Sequence, residues 1–271
     1  MAGGGTGVTL AEVLEAATEL DHRANASLNR CMDAAGYPEL REAAGMAQQR
    51  DRKGARSPLA ADPLEAGPYT EDMARRYGIL GTAELFHGDE PGYVVSRDAG
   101  YDRAIGRCQA SFDEAHHIDT AALLGRVGQL SNDVHVQFLT SIDPVIGPLL
   151  TARLDCVRTH GFPTLTNDIS VASDDLLRSV GIASGRFTDE PLATIPARHH
   201  DNVSIEPPDA IRTYAPSPSE VEFALAYVRC GNDQGFVTAW NSAQVGPREE
   251  IEASEMGTLQ TLARSLRKAL S

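Results

Sequence analysis

One pattern occurs twice in this chain and constrains its fold more than any other feature. Cys31-Met-Asp-Ala-Ala-Gly36-Tyr37-Pro38-Glu39-Leu40 returns as Cys156-Val-Arg-Thr-His-Gly161-Phe162-Pro163-Thr164-Leu165, which is C-x4-G-[FY]-P-x-L. Each copy reads as the last turn of a helix, a glycine in the left-handed position that ends it, and a proline that blocks its continuation. Both cysteines lie on a helical stripe. Leu20, Ala24, Ser27 and Cys31 follow i, i+4, i+7, i+11, and so do Val145, Leu149, Ala152 and Cys156.

Two further echoes keep the same order. Tyr77-Gly78-Ile79 matches Val180-Gly181-Ile182, and Tyr101-x2-Ala104-x3-Cys108 matches Phe223-x2-Ala226-x3-Cys230. The cysteine separations agree as well, 77 residues in the first half and 74 in the second. The expectation is an internal duplication: a flexible lead over 1–8, a first half over 9–119 and a second half over 120–271, forming one intimate globular unit. Four cysteines permit three pairings. The repeat selects Cys31–Cys108 and Cys156–Cys230, and each closure contributes roughly 4 kcal/mol in the loop-entropy picture. The open alternative is four reduced cysteines packed as small hydrophobes in a cytosolic protein. There is no C-x2-C pair, and no Cys/His spacing is read as a zinc site.

The remaining helices follow from caps and periodicity. Thr9 caps a helix over 9–35, with Glu12 completing a capping box. Residues 41–70 read as a polar excursion, Glu71 to Tyr77 as a helix and 86–92 as a loop. Ser96 is expected to cap a helix running to His117. Leu123, Leu124, Val127, Leu130, Val134 and Phe138 mark another over 120–141, and Asp143-Pro144 reads as the cap and first residue of the next. Asp174 to Val180 is a short helix. Residues 185–218 hold six prolines and read as a long loop or extended segment. Ser219 opens a helix through Cys230, and Ile251 to Leu270 is amphipathic.

Composition narrows the function. The 38 acidic residues against 24 basic, net charge −14, exclude the basic surface a nucleic-acid partner requires. Aromatics at 6% favour helices over a β-sandwich. No stretch approaches the roughly 18 apolar residues of a transmembrane segment. The opening Met-Ala-Gly-Gly-Gly-Thr-Gly lacks the segments of a signal peptide. The chain is therefore either cytoplasmic or the mature part of an exported protein whose N-terminal segment or anchor is missing.

Asp143-Pro144 ahead of Cys156, the C-x4-G-[FY] turn, Tyr101-x2-Ala104-x3-Cys108, and Glu222-Phe223-Ala224-Leu225-Ala226 leading to Cys230 resemble a group of actinobacterial secreted, lipoprotein-like envelope proteins. These usually carry tryptophan three residues before the second turn's cysteine, where this chain has Arg153. The resemblance implies an exported, helix-rich, disulfide-bonded protein. It supplies no catalytic residues.

Few side-chain groups suggest chemistry. His116-His117 and Glu114-x-x-His117 read as surface features, since adjacent helical side chains diverge by about 100°. His199-His200-Asp201, in the long segment, is the candidate metal or pH-sensitive site. Trp240, Tyr37 and Phe162 are candidates to line a ligand site, although Trp240 more simply fills the core. No nucleophile elbow or phosphate-binding loop is present, so neither a catalytic residue nor a cofactor is assigned. The expected fold is mostly α, pseudo-twofold, with long loops and two intrachain disulfides. The expected function is an extracytoplasmic binding or interaction protein of the cell envelope, its partner a small molecule, peptide or envelope component. A metal-assisted hydrolase using the histidine pairs and a cytosolic helical scaffold are the rivals. A ligand cleft is expected between the Cys31 and Cys156 helices.

Overall fold

The structure is a computed structural model that describes residues 7–38, 58–60, 67–81, 93–96, 99–165, 174–190, 198–200, 203–206 and 211–271. Most of the 41–70 excursion, the 86–92 loop and Asp201 lie outside these residues. The described chain is mostly helical. Helix α1 (Leu10–Ala34) begins as its sequence dictates. The Thr9 hydroxyl accepts from Glu12 N–H while the Glu12 carboxylate accepts from Thr9 N–H, so two orphan donors are satisfied reciprocally. Helix α2 (Glu71–Tyr77) is capped by Thr70 and stops at Gly78, where φ is +60°. Strand β1 (Tyr93–Ser96) then precedes α3 (Ala99–His116). Ser96 is thus the last residue of a strand, not a helix cap: pairing opposite Val203 holds its backbone extended.

The spine of the molecule is α4, a 40-residue helix from Thr120 to Thr159. The expected new start at Asp143-Pro144 is absent, because the apolar stripe crosses it without losing phase. Leu123, Val127, Leu130, Val134, Phe138, Ile142, Ile146, Leu154 and Val157 are all buried on one side, while Pro144 and Pro148 turn their rings to the exposed side. An interior proline costs about 3 kcal/mol. Burying the side chains of Phe138, Ile142, Ile146 and Leu154 at about 2 kcal/mol each outweighs two such penalties. Thr140 and Ser141 donate their hydroxyls to the carbonyls of Val136 and Gln137 just ahead of Pro144.

Helix α5 (Asp174–Ser179) and the segment after it follow the spine. Of the segment expected as loop or extended chain, the described parts include four paired strands: β2 (Arg186–Glu190) runs antiparallel to β5 (Ile211–Ala215), and β3 (Arg198–His200) to β4 (Val203–Glu206), which also takes β1 on its other edge. Helix α6 (Pro218–Asp233) is capped by Ser217 with proline at its first turn, two residues ahead of the expected Ser219 start. Helices α7 (Phe236–Ala243), α8 (Val245–Ser254) and α9 (Met256–Leu270) close the chain, so the expected terminal helix is interrupted at Glu255.

Among the described residues, burial divides into three cores. The largest joins α1, the first two-thirds of α4 and α7–α9. A second gathers α2, α5, α6 and the end of α4 around Leu154 and Val157. A third, small one holds the end of α1 against α3. The spine therefore contributes one continuous stripe to two cores.

Candidate functional site

Each repeated turn closes a corner between two helices. In both, the disulfide joins Cα atoms 5.7 Å apart, Cys31 to Cys108 between α1 and α3, and Cys156 to Cys230 between α4 and α6. The two glycines have φ of +91° at Gly36 and +110° at Gly161, a region open chiefly to residues without a Cβ. The aromatic after each glycine meets the aromatic two helical turns before the partner cysteine. Tyr37 stands edge-on to Tyr101, with centroids 5.1 Å apart at 85°, and Phe162 stands edge-on to Phe223 at 4.9 Å and 83°.

The corners differ in their contents. Three residues before the first cysteine of each pair stand Leu28 and Arg153, and one residue after the second stand Gln109 and Gly231. Arg153 is 1% exposed. Its Nε donates to the Tyr227 carbonyl at 2.8 Å and its Nη2 to the Pro68 carbonyl at 2.7 Å. The guanidinium lies 3.6 Å from the centroid of Tyr227 and 4.5 Å from that of Phe236. Gly231 makes room for it, since a Cβ there would come within 2.9 Å of Nε. Among the described residues no carboxylate faces this cation. Burial draws the Arg153 pKa below its ordinary value and raises that of the fully buried Tyr227 phenol.

At the first corner the corresponding positions line a cavity of about 260 Å³. Leu28, Phe112, Leu124 and Ala24 form its apolar surface, and Asp21, Asn25, Gln109 and Asp113 its polar one. Asp113 also ties α3 to α4, its Oδ1 accepting from both the N–H and the hydroxyl of Thr120. The cavity lies between α1 and the helix that carries Cys156 at its far end.

Glu220, fully buried, is the principal polar element of the second half. Its Oε1 accepts from the N–H groups of Ile79 and Leu80 at 3.0 and 3.2 Å. Its Oε2 accepts from Gly185 N–H at 2.9 Å and the Tyr214 hydroxyl at 2.6 Å. One carboxylate thus joins the exit of α2, the start of β2, the end of β5 and the first turn of α6. Gly78 is required beside it, as a Cβ there would collide with Oε1.

His160 is a further group that sequence reading passed over. It follows Cys156 by one helical turn, and its Nδ1 lies 3.6 Å from Cys156 Sγ and 3.8 Å from Cys230 Sγ. The Cys156-x3-His160 spacing was visible, but only the packing of α6 on α4 brings Cys230 beside it. Both sulfurs are bonded to each other, so the trio offers no thiolate for a metal. The anticipated ring residues are spread out: Tyr37 and Phe162 belong to opposite corners, and Trp240 is buried in the main core beside Phe236, centroids 5.4 Å apart. His199 and His200 fall in β3. His116 packs on Phe112 at 4.5 Å, and His117 closes α3 with φ of +52°.

No protein-family model, curated protein or solved structure matches the chain. Among the described residues no helix is long and apolar enough to cross a membrane. Two disulfides fit an oxidising compartment.

Proposed function

We propose that the protein is an extracytoplasmic binding protein of the cell envelope, and that the cavity between α1, α3 and α4 takes a small organic cation. The observation that carries this reading is the contrast in filling between the corners. Where the second corner holds its own guanidinium between aromatic rings, the corresponding positions of the first border a cavity with an apolar surface and two carboxylates. A guanidinium or ammonium group on a short apolar stem matches that surface, and the net charge of −14 attracts cations over a distance. The two corners are part of the same proposal, read as copies of one ancestral unit. The hydrolase reading draws less support, because the histidine pairs occupy separate elements.

Titration of the intact protein with butylguanidine and butylamine, followed by calorimetry and melting temperature, tests the ligand. Saturable binding and a rise in Tm are expected, lost on Ala24→Trp, which fills the cavity, and weakened by Asp21→Asn. Binding that survives Ala24→Trp, or no binding at millimolar concentrations, rejects the site. Four titratable thiols in protein prepared without reductant would place it in the cytoplasm instead.

A further inference from the structure

We propose that the Cys156–Cys230 disulfide is a thiol-exchange site, opened by an external dithiol at Cys156 Sγ with His160 as the proton donor to the departing Cys230 sulfur. The argument begins with the unequal burial of the two sulfurs' residues. Cys156 is half-buried at the end of α4, whereas Cys230 is 1% exposed and packs among Phe223, Ala224, Tyr227 and Val228. An incoming thiolate therefore meets Cys156, and Cys230 is the leaving group. A thiolate released into apolar surroundings is strongly disfavoured unless a proton reaches it.

His160 is positioned to deliver that proton. It is exposed, so it exchanges protons with solvent, and its Nδ1 stands 3.8 Å from Cys230 Sγ. The ring is held at the end of the helix by contacts of Nδ1 with the Cys156 carbonyl at 2.9 Å and the Thr159 hydroxyl at 3.2 Å. In the first step a bond forms between the substrate sulfur and Cys156 Sγ while the Cys156–Cys230 bond breaks. The electron pair passes to Cys230 Sγ, which takes the proton from His160. The second thiolate of the substrate then attacks its own bonded sulfur and expels Cys156. The dithiol leaves as a disulfide, two electrons having passed to the protein; Cys156 is released as a thiolate that takes a proton from solvent, as does His160, and Cys230 remains as the thiol formed in the first step.

The first corner supplies the control. Cys31 is likewise half-buried and Cys108 is 3% exposed, but Ala35 stands where His160 does. The two positions have similar backbones, with φ −82° and ψ −2° at Ala35 against φ −100° and ψ 30° at His160. Packing alone argues for the opposite order of opening, because the second disulfide lies in the larger core.

The test treats the native protein with substoichiometric dithiothreitol, quenches with iodoacetamide at intervals and maps the labelled cysteines. Cys156 and Cys230 are expected to be labelled about ten-fold faster than Cys31 and Cys108. That is short of the roughly 10²–10⁴-fold of well-placed general acids, since the imidazole is exposed. His160→Ala should remove the difference, with an unchanged circular-dichroism spectrum. Ala35→His should speed the opening of Cys31–Cys108, an independent gain that does not depend on how the first variant folds. Equal rates in the unaltered protein, or a preference that persists in His160→Ala, would overturn the proposal. So would Ala35→His without effect.

Discussion

At the first corner, Cys31 and Cys108 join the last turn of α1 to the middle of α3 over four buried residues, Met32, Tyr101, Ala104 and Cys108 itself. At the second, Cys156 and Cys230 join the spine to α6 inside a described core of twelve. The cysteine separation, the Cα distance and the edge-on ring pair are nearly the same in both. A short local pattern is thus enough to set the shape of a corner, because helix stop, glycine and aromatic act within a few residues of one another. The burial around it comes from elsewhere. Helices α2 and α5 dock on the second corner, and Glu220 ties the exit of α2 and the β2–β5 pair to it.

The largest effects should come from removing the disulfides. Their loops are 77 and 74 residues, so the entropic part of each loss is about 4 kcal/mol and almost identical. Cys156→Ala with Cys230→Ala should cost roughly a further 1–2 kcal/mol over Cys31→Ala with Cys108→Ala, because its sulfurs leave a void in the larger core. Urea denaturation of the two double variants measures the difference. Equal losses would mean that the cores contribute equally despite their sizes.

Arg153 gives the next effect. Arg153→Ala removes the guanidinium's hydrogen bonds to the Tyr227 and Pro68 carbonyls and opens a void between Tyr227 and Phe236. A loss of about 3 kcal/mol is expected. Leu28→Ala, at the corresponding position of the first corner, enlarges a space that is already a cavity and should cost about 1 kcal/mol. Denaturation midpoints at a common slope compare the two. If Leu28→Ala proves the more costly, the cavity is better packed than its lining implies.

What could be read in the sequence was what acts locally. The Thr9–Glu12 box and the glycine stops at Gly36, Gly78, Gly161 and Gly181 depend on short spacings and were legible, and the pairing of the cysteines, 77 and 74 residues apart, was legible through the repetition of short patterns around them. The same kind of signal misled where distant burial overrode it. Asp143-Pro144 is a good helix start taken alone, yet the stripe from Leu123 to Val157 carries the helix through it. Ser217-x-x-Glu220 has the same pattern as Thr9-x-x-Glu12, and Ser217 does accept from Glu220 N–H. The Glu220 carboxylate, however, turns to Ile79, Leu80, Gly185 and Tyr214, partners up to 141 residues away. The candidate site was legible in part, since a cleft beside the Cys156 helix was expected but not its place at the opposite end of that helix. Its lining comes from three helices whose packing no short spacing reveals.

The smallest effect is the most direct test of a shared origin. Double-mutant cycles on Tyr37 with Tyr101, and on Phe162 with Phe223, isolate the edge-on ring contact at each corner when all four are changed to Leu singly and in pairs. Single losses should be unequal, since Phe223 is fully buried and also lies parallel to Tyr227 at 6.3 Å. That extra contact is removed alike in the single and double variants, so it cancels in the cycle. The couplings that remain depend only on the ring pairs, whose centroid distances differ by 0.2 Å and angles by 2°, from 5.1 Å and 85° to 4.9 Å and 83°. Each should be about 1 kcal/mol. Agreement within about 0.5 kcal/mol, the usual limit of additivity, is what two copies of one corner require. A coupling present at one corner and absent at the other would mean that the rings converged on similar positions for different reasons, and the duplication would lose its energetic support.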